Sequence, residues 1–318
     1  AEKAMTRRGF VGTMTAAGAM GLAAGEARAA QKPPLDVRFG LNLLVYTAAF
    51  TKAELDLVPK VADFGYDGVE ILFGDLDILA PAETRKACEA AGMGMTACAV
   101  MTSGENISSP DADVRKSGVA RLKRIVDITA EMGGDAVGGP LYAPVRELTG
   151  KPRTDDEWKW AAEGLRAAAE HAERTGIILA IEPLNRFETH VINTVLDGAK
   201  LVREVDHPNL KIQVDTFHAN IEDKDTAAAI REAGSAVGHF HASESDRGVP
   251  GTGQVRWKEC FSALRDINYT GWVTIESFAT GIVDLCAAAC IWRPIYDSAE
   301  SLRRVFQPRV VPGAGRSR

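Results

Sequence analysis

Short apolar runs alternate with longer amphipathic stretches along most of the chain from Val37 onward. The apolar runs are continuous, as in Ile177–Ile181, which is typical of strands covered on both faces in a parallel sheet. Apolar residues at helical spacing predict helices between them, for example Ser117–Met132, Asp155–Thr175 and Thr194–Val205. The runs predict eight strands, at Val37–Val45, Gly68–Phe73, Met93–Val100, Ala136–Leu141, Ile177–Pro183, Leu210–Thr216, Val237–Ser243 and Trp272–Ser277.

Eight strand–helix units predict an α/β fold, a (β/α)8 TIM barrel over residues 36–308. Thr154 before three acidic residues predicts a helix N-cap, and Gly133-Gly134 and Gly176 predict helix ends. A doubly wound open sheet is the competing architecture, but the first strand is not followed by the glycine-rich phosphate loop usual in that fold. Residues 309–318 are predicted to be a flexible C-terminal tail.

The first 30 residues have a different composition from the rest of the chain. Arg7-Arg8 followed by Phe10 resembles the twin-arginine export motif, and a short run rich in Ala, Gly and Met comes after it. Ala27-Arg28-Ala29 fits a small-x-small cleavage site. We therefore interpret residues 1–30 as a removed signal peptide with a short N-terminal extension. The mature protein is expected in the periplasm, with no membrane association.

Charge and cysteine content exclude several classes of protein. The 318 residues carry a net charge of −6 and no basic stripe, so nucleic acid is not an expected partner. The five cysteines are an odd number and form no CxxC pair, which argues against zinc ribbons and thioredoxin-like sites. All five are expected to be free thiols.

Four consecutive strands each end with an ionisable residue, namely Glu182, Asp215, His241 and Glu276. In a barrel these side chains converge at the C-terminal mouth. Three carboxylates in one partly dry pocket repel one another unless a cation lies between them. Oxygen ligands with one imidazole suit Mn²⁺, the first expectation, or Co²⁺ or Mg²⁺. His239 also points inward, and we expect it to form a hydrogen bond one layer deeper.

Several motifs together resemble the D-tagatose 3-epimerase and D-allulose (psicose) 3-epimerase family, within the xylose-isomerase-like barrels. The resemblance implies that Glu182, Asp215, His241 and Glu276 hold the metal and that Glu182 and Glu276 are the acid/base pair. It further implies that Glu188, His218 and Arg247 contact a ketose or keto-sugar substrate, and that the protein is a homo-oligomer, a dimer or tetramer. The motifs are Glu182–Glu188, Val214–Glu222, Gly238–His241, Ser243–Arg247, Pro250–Gly253, Gly271–Phe278 and Trp292–Arg293.

The function expected from these residues is ketose 3-epimerisation through an enediolate. Leu141–Pro144 are candidate wall residues of the substrate pocket, and Trp257 is either a wall residue or part of the helix-packing core. An aldose–ketose isomerase of the hydroxypyruvate type and an exported 3-keto-glycoside lyase or isomerase remain alternatives. A non-catalytic periplasmic sugar-binding barrel is disfavoured by the two glutamates. An apurinic-site endonuclease is disfavoured because only six histidines are present.

Overall fold

The computed structural model describes residues 35–278, 280–296 and 299–304. Eight parallel strands pair in sequence order, and the last pairs with the first, so the sheet closes into a barrel. The predicted TIM barrel is confirmed. The predicted signal segment 1–30 and tail 309–318 lie outside the described residues. The strands are β1 (Arg38–Asn42), β2 (Gly68–Phe73), β3 (Gly94–Ala99), β4 (Ala136–Gly139), β5 (Ile178–Ile181), β6 (Leu210–Asp215), β7 (Val237–Ala242) and β8 (Trp272–Ile275).

Most strands are shorter than predicted at their C-terminal ends. The first was predicted to reach Val45, but Leu43–Val45 form a 3₁₀ helix whose N-cap is Asn42. The Asn42 side chain accepts a hydrogen bond from the backbone of Leu44 at 3.0 Å, which turns the chain there. Because the apolar runs continue past the last hydrogen bond between neighbouring strands, the sequence pattern does not mark where strand pairing ends. Glu182 and Glu276 consequently lie on the first loop residue after their strands.

Capping residues set the ends of the helices. Thr154 is the predicted N-cap of the helix Asp155–Ala172 (α4), where it also forms a capping box with Glu157, and left-handed Gly133 ends the helix Ala112–Met132 (α3). The start of α3 was predicted at Ser117, but Asp111 caps the helix one turn and a half earlier. The helices are α1 (Leu57–Asp63), α2 (Pro81–Ala91), α3 (Ala112–Met132), α4 (Asp155–Ala172), α5 (Val195–Val205), α6 (Thr216–Glu222), α7 (Thr226–Ala233), α8 (Trp257–Asp266) and α9 (Val283–Ala289).

The helices pack their apolar faces on the outside of the barrel. Trp257 is buried there and stacks near Phe261, at 6.2 Å between ring centroids, so it belongs to the helix-packing core. No helix among the described residues combines the length and the apolar character needed to cross a bilayer. All five cysteines lie in the described part and are free thiols, as expected.

The inside of the barrel is unusually polar below its mouth. Seven polar side chains point into it and are buried: Asn42, Glu70, Thr96, Gln213, His239, His241 and Thr274. Gly138 on β4 leaves the space that Gln213 fills, since a Cβ at Gly138 would lie 1.7 Å from Gln213 Oε1. Within this layer, Asn42 and Thr96 each donate a hydrogen bond to Glu70.

Candidate active site

The four predicted metal ligands meet at the C-terminal mouth of the barrel. Asp215 and His241 are cross-strand partners in the β6–β7 ladder, while Glu182 and Glu276 follow β5 and β8. One ligand atom from each of the four lies within 4.8 Å of the others, and all four side chains are buried. Their role as ligands remains a prediction, but the fold brings them together as the sequence implied.

The cluster has the geometry and the charge that a divalent cation requires. Opposite ligands of a small divalent ion at about 2.1 Å stand about 4.2 Å apart, which matches the spread of these atoms. Glu182 Oε1 is buried and has no hydrogen-bond partner among the described residues. Burial and the carboxylates of Asp215 and Glu276 raise the pKa of Glu182 well above its ordinary value. A cation between these oxygens would relieve both conditions.

Glu182 and Glu276 have opposite protonation preferences although they share the cluster. Burial alone would raise the pKa of Glu276, but the guanidinium of Arg247 and the imidazole of His241 lower it below its usual range. The pKa of Glu182 moves the other way. A pair of carboxylates whose pKa values are driven apart is suited to an acid and a base acting together.

Arg247 lies in the loop after β7 and reaches back into the cluster. Its Nη1 donates to Asp215 Oδ2 at 3.2 Å and to Glu276 Oε2, and its backbone is in the left-handed region with φ of 64°. The guanidinium packs 4.0 Å from the centre of the Phe217 ring. Arg247 therefore neutralises two of the carboxylates and borders the cavity at the same time.

His218 and Glu188 border the cavity on its β5–β6 side. The backbone N–H of Asn185 donates to His218 Nδ1 at 3.1 Å, which directs Nε2 toward Arg247 and Glu182. Burial and the charge of Arg247 lower the pKa of His218 to about 3, so its ring is neutral at physiological pH. Glu188 is half-buried and accepts from the Asn185 amide at 2.9 Å. His218 is thus suited to hydrogen bonding and not to proton transfer.

The cavity above the cluster has a volume of about 330 Å³ and two unlike sides. Glu182, Glu276, His218, Arg247 and Glu188 supply the polar side, and the opposite side is apolar. The wall was expected at Leu141–Pro144, but Pro140 and Val145 line the cavity instead. Tyr142 is fully buried, and its hydroxyl donates a hydrogen bond to the backbone carbonyl of Glu182 at 2.9 Å.

Glu244 organises the loop that carries Arg247. It is fully buried, and its carboxylate accepts from the backbone of Ser245, Gly251 and Val255 and from the indole of Trp257, at 2.8–3.1 Å. Burial alone would raise the pKa of Glu244, but these hydrogen bonds lower it below its usual value.

Glu244→Gln is expected to destabilise the protein by about 1–3 kcal/mol, because an amide –NH₂ then faces buried N–H donors. Glu259→Gln, an exposed change on α8, is the control. Urea unfolding of both variants measures the difference. The contribution of Glu244 is complete above about pH 4.3, the unfolded pKa, and is lost as the pH falls through the lower folded value. Equal unfolding midpoints for the two variants at pH 7 would contradict this role.

A second group of polar residues lies beneath the cluster, and Glu70, Asn42 and Thr96 in it were not predicted from the sequence. Glu70 on β2 lies 2.7 Å from His241 Nε2 and 2.7 Å from His239 Nε2, so the hydrogen bond expected for His239 is confirmed. Asn42 and Thr96 contact the same carboxylate. The alternation of side chains along a strand could have indicated them, because all three residues occupy inward-facing positions on adjacent strands.

Comparison with known proteins agrees with this geometry. The profile of the xylose isomerase-like TIM barrel family matches residues 58–304. D-psicose 3-epimerase of Agrobacterium fabrum is 38% identical over 248 residues, covering 76% of this chain and 86% of that protein. The chain belongs to the ketose 3-epimerases of the xylose isomerase-like barrel family. It is therefore an isomerase, a carbohydrate epimerase, and the resemblance predicted from its motifs is confirmed.

Two further similar proteins show how wide the similarity is. The crystal structure of D-allulose 3-epimerase from Methylomonas sp., in complex with D-allulose, superposes with a TM-score of 0.80 at 29% identity, covering 85% of this chain and 94% of that one. The 3-dehydro-D-guloside 4-epimerase of Escherichia coli is 30% identical, covering 72% of this chain and 88% of that protein.

Proposed function

We propose that this protein inverts C3 of a free ketose in a reaction that depends on a divalent metal, Mn²⁺ before Co²⁺ or Mg²⁺. The observation that carries the proposal is the position of Glu182 and Glu276. Both carboxylates are buried in one cluster that lines the cavity, one directly after β5 and the other directly after β8. The names of the relatives, D-psicose and D-allulose 3-epimerase, support the same reaction.

The metal would be held by Glu182, Asp215, His241 and Glu276. When bound there, a divalent cation polarises the carbonyl of the sugar and stabilises negative charge on its oxygen. The same four residues supply three carboxylates and one neutral imidazole, a donor set suited to Mn²⁺, Co²⁺ or Mg²⁺.

Glu182 and Glu276 perform the proton transfers in this proposal. They project from β5 and β8, so a ketose between them presents one face of C3 to each carboxylate. One glutamate removes the C3 proton and leaves an enediolate, and the other glutamate returns a proton to the opposite face. Proton transfer by a positioned side chain contributes about 10²–10⁴-fold to the rate.

Arg247 and His218 orient the substrate and stabilise its charge. Both line the cavity beside the two glutamates. Their nitrogens lie 3.1 Å apart, so a sugar oxygen placed next to one is within reach of the other. Donors fixed in a buried site stabilise a developing oxyanion more strongly than water does. Glu188, at the lip, is placed to accept hydrogen bonds from hydroxyls of the sugar.

A substrate panel tests the proposal. Metal-free protein is supplied with Mn²⁺ and incubated with D-fructose, D-psicose, D-tagatose and L-ribulose, and the products are separated by chromatography. The expected result is the C3 epimer of at least one ketose, formed with Mn²⁺ and not with chelator. Formation of an aldose, or turnover that is insensitive to chelation, would contradict the proposal.

A keto-glycoside is the second candidate substrate, supported by the similarity to the 3-dehydro-D-guloside 4-epimerase. The chemistry is related, since the proton removed again lies next to a carbonyl. Including a methyl 3-keto-glucoside in the panel separates the cases. Epimerisation beside its C3 carbonyl without release of methanol indicates a 4- or 2-epimerase. Release of methanol indicates a lyase. If the keto-glycoside does not react, a free ketose remains the proposed substrate.

Location and assembly remain proposals as well. The twin-arginine motif at Arg7-Arg8 supports export to the periplasm, and the family resemblance supports a dimer or tetramer. Cell fractionation of a variant with both arginines changed to lysine tests the first, and light scattering of the purified protein tests the second.

A further inference from the structure

Glu70 receives four polar contacts in the interior of the barrel. Its Oε1 accepts from Asn42 Nδ2 at 2.9 Å and lies 2.7 Å from His241 Nε2. Its Oε2 accepts from Thr96 Oγ1 at 2.9 Å and contacts His239 Nε2 at 2.7 Å. The Glu70 side chain is 0% exposed, so water does not compete for these contacts. A buried carboxylate surrounded in this way is held in one orientation.

The sheet register fixes Glu70 from both sides. Asn42 on β1 and Thr96 on β3 are its direct cross-strand partners. Their side chains bind different oxygens of the carboxylate, one from each neighbouring strand. The plane of the carboxylate is therefore set by the barrel itself, and the two histidines of β7 meet it from across the interior.

The contact with Glu70 determines how the ring of His241 is oriented. Its Nε2 faces Glu70, while its Nδ1 lies 3.6 Å from Asp215 Oδ2 and 3.5 Å from Glu276 Oε1. Glu70 is the carboxylate nearest to the ring, and a cation held by the cluster would take the lone pair of Nδ1, which leaves the ring N–H on Nε2.

We propose that Glu70 is a positioning residue of the metal centre, which holds His241 as the Nε2–H tautomer and aims its Nδ1 lone pair at the carboxylate cluster. The inference rests on the proposed metal centre and extends it to a residue that does not touch the ion or the sugar. Metal-ligating histidines commonly donate their other N–H to a carboxylate, and loss of such a partner weakens metal binding about 10–100-fold.

Glu70, His239 and His241 are themselves close enough to be considered a cation site. The 2.7 Å separations argue for hydrogen bonds instead. Neighbouring ligands of an octahedral ion at about 2.1 Å stand about 3.0 Å apart, which is wider than these contacts. Glu70 is better explained as the acceptor of both histidine N–H groups.

His239 offers a matched control. It contacts the same carboxylate at the same distance from the same strand and is equally buried, but it is not part of the four-residue cluster. His239→Gln keeps an N–H donor for Glu70 and leaves the contact to His241 intact. Glu70→Gln keeps the shape of the side chain but removes the negative charge that His241 Nε2 faces, whichever way the new amide is turned.

Mn²⁺ binding to the whole protein, measured by the loss of the free-ion signal in electron paramagnetic resonance, tests the proposal without a substrate. Glu70→Gln is expected to raise the Kd for Mn²⁺ about 10–100-fold. His239→Gln is expected to change it less than about threefold. A folded Glu70→Gln protein with wild-type affinity would overturn the proposal. Failure of the proposed epimerase activity would leave this result unaffected.

The wild-type protein provides a second measurement, should Glu70→Gln fail to fold. In Mg²⁺-loaded protein labelled with ¹⁵N-histidine, the His241 signals, assigned from a His241→Asn variant, are expected to show a protonated Nε2. A protonated Nδ1 on His241 in that sample would overturn the assignment.

Discussion

Replacing Glu276 by glutamine is expected to slow C3 epimerisation by about 10²–10⁴-fold or more, because one face of the substrate loses its proton carrier. The change keeps the shape of the side chain and removes a charge that Arg247 and His241 stabilise. Steady-state rates with the best ketose of the panel measure the effect. Circular dichroism and Mn²⁺ affinity show whether fold and metal are retained.

The distinctive outcome lies in isotope exchange. In D₂O, Glu276→Gln retains Glu182, so one C3 epimer should slowly exchange its C3 proton for deuterium without inverting. Glu182→Gln should show the same behaviour with the other epimer. Glu173→Gln, an exposed change just after α4, serves as the control and should match the wild type. If both active-site variants exchange the same epimer, the assignment of one glutamate to each face is wrong.

Removing the metal is expected to lower thermal stability as well as to abolish activity. Without a cation, three carboxylates share one buried cluster, and within the described part of the chain only Arg247 and His241 form ion pairs that offset their charge. At a Mn²⁺ concentration about 100 times Kd, binding stabilises the folded state by about 2.7 kcal/mol. For a protein of this size we expect a fall in Tm of roughly 4–6 °C on chelation, measured by scanning calorimetry.

Asp215→Asn separates a metal effect from a general effect of chelator. The variant keeps the size of the side chain but loses a proposed ligand and the partner of Arg247. Its Tm should be nearly the same with and without Mn²⁺. A Mn²⁺-dependent rise in Tm equal to that of the wild type would show that the ion binds elsewhere.

The barrel and its four convergent residues could be predicted because they depend on periodic signals. Parallel strands read as apolar runs, and the residue that follows each run lies at the mouth of the barrel. The same pattern predicted Glu182, Asp215, His241 and Glu276 as residues of the mouth. It placed His239 correctly for the same reason, since residues two apart on a strand face the same side.

Other features depend on contacts between segments far apart in the chain. Glu70 lies inside an apolar run, and nothing in that run indicates that its carboxylate contacts two histidines some 170 residues later in the chain. In the sequence, Glu244 resembles a charged residue of a surface loop, whereas in the structure the loop folds around it and buries it. Arg247 was expected to contact the sugar. Its position between Asp215 and Glu276 depends on a left-handed backbone conformation, which the sequence pattern does not predict.

The position of deuterium in the product of wild-type enzyme tests the central claim most directly. Mn²⁺-loaded protein is incubated with a reactive ketose in D₂O, and the epimer is examined by NMR. The account predicts one deuterium at C3 of the inverted product and none at C1. An inverted product that retains its original hydrogen at C3, or a product labelled at C1 or C2, would contradict proton transfer at C3 by two opposed glutamates.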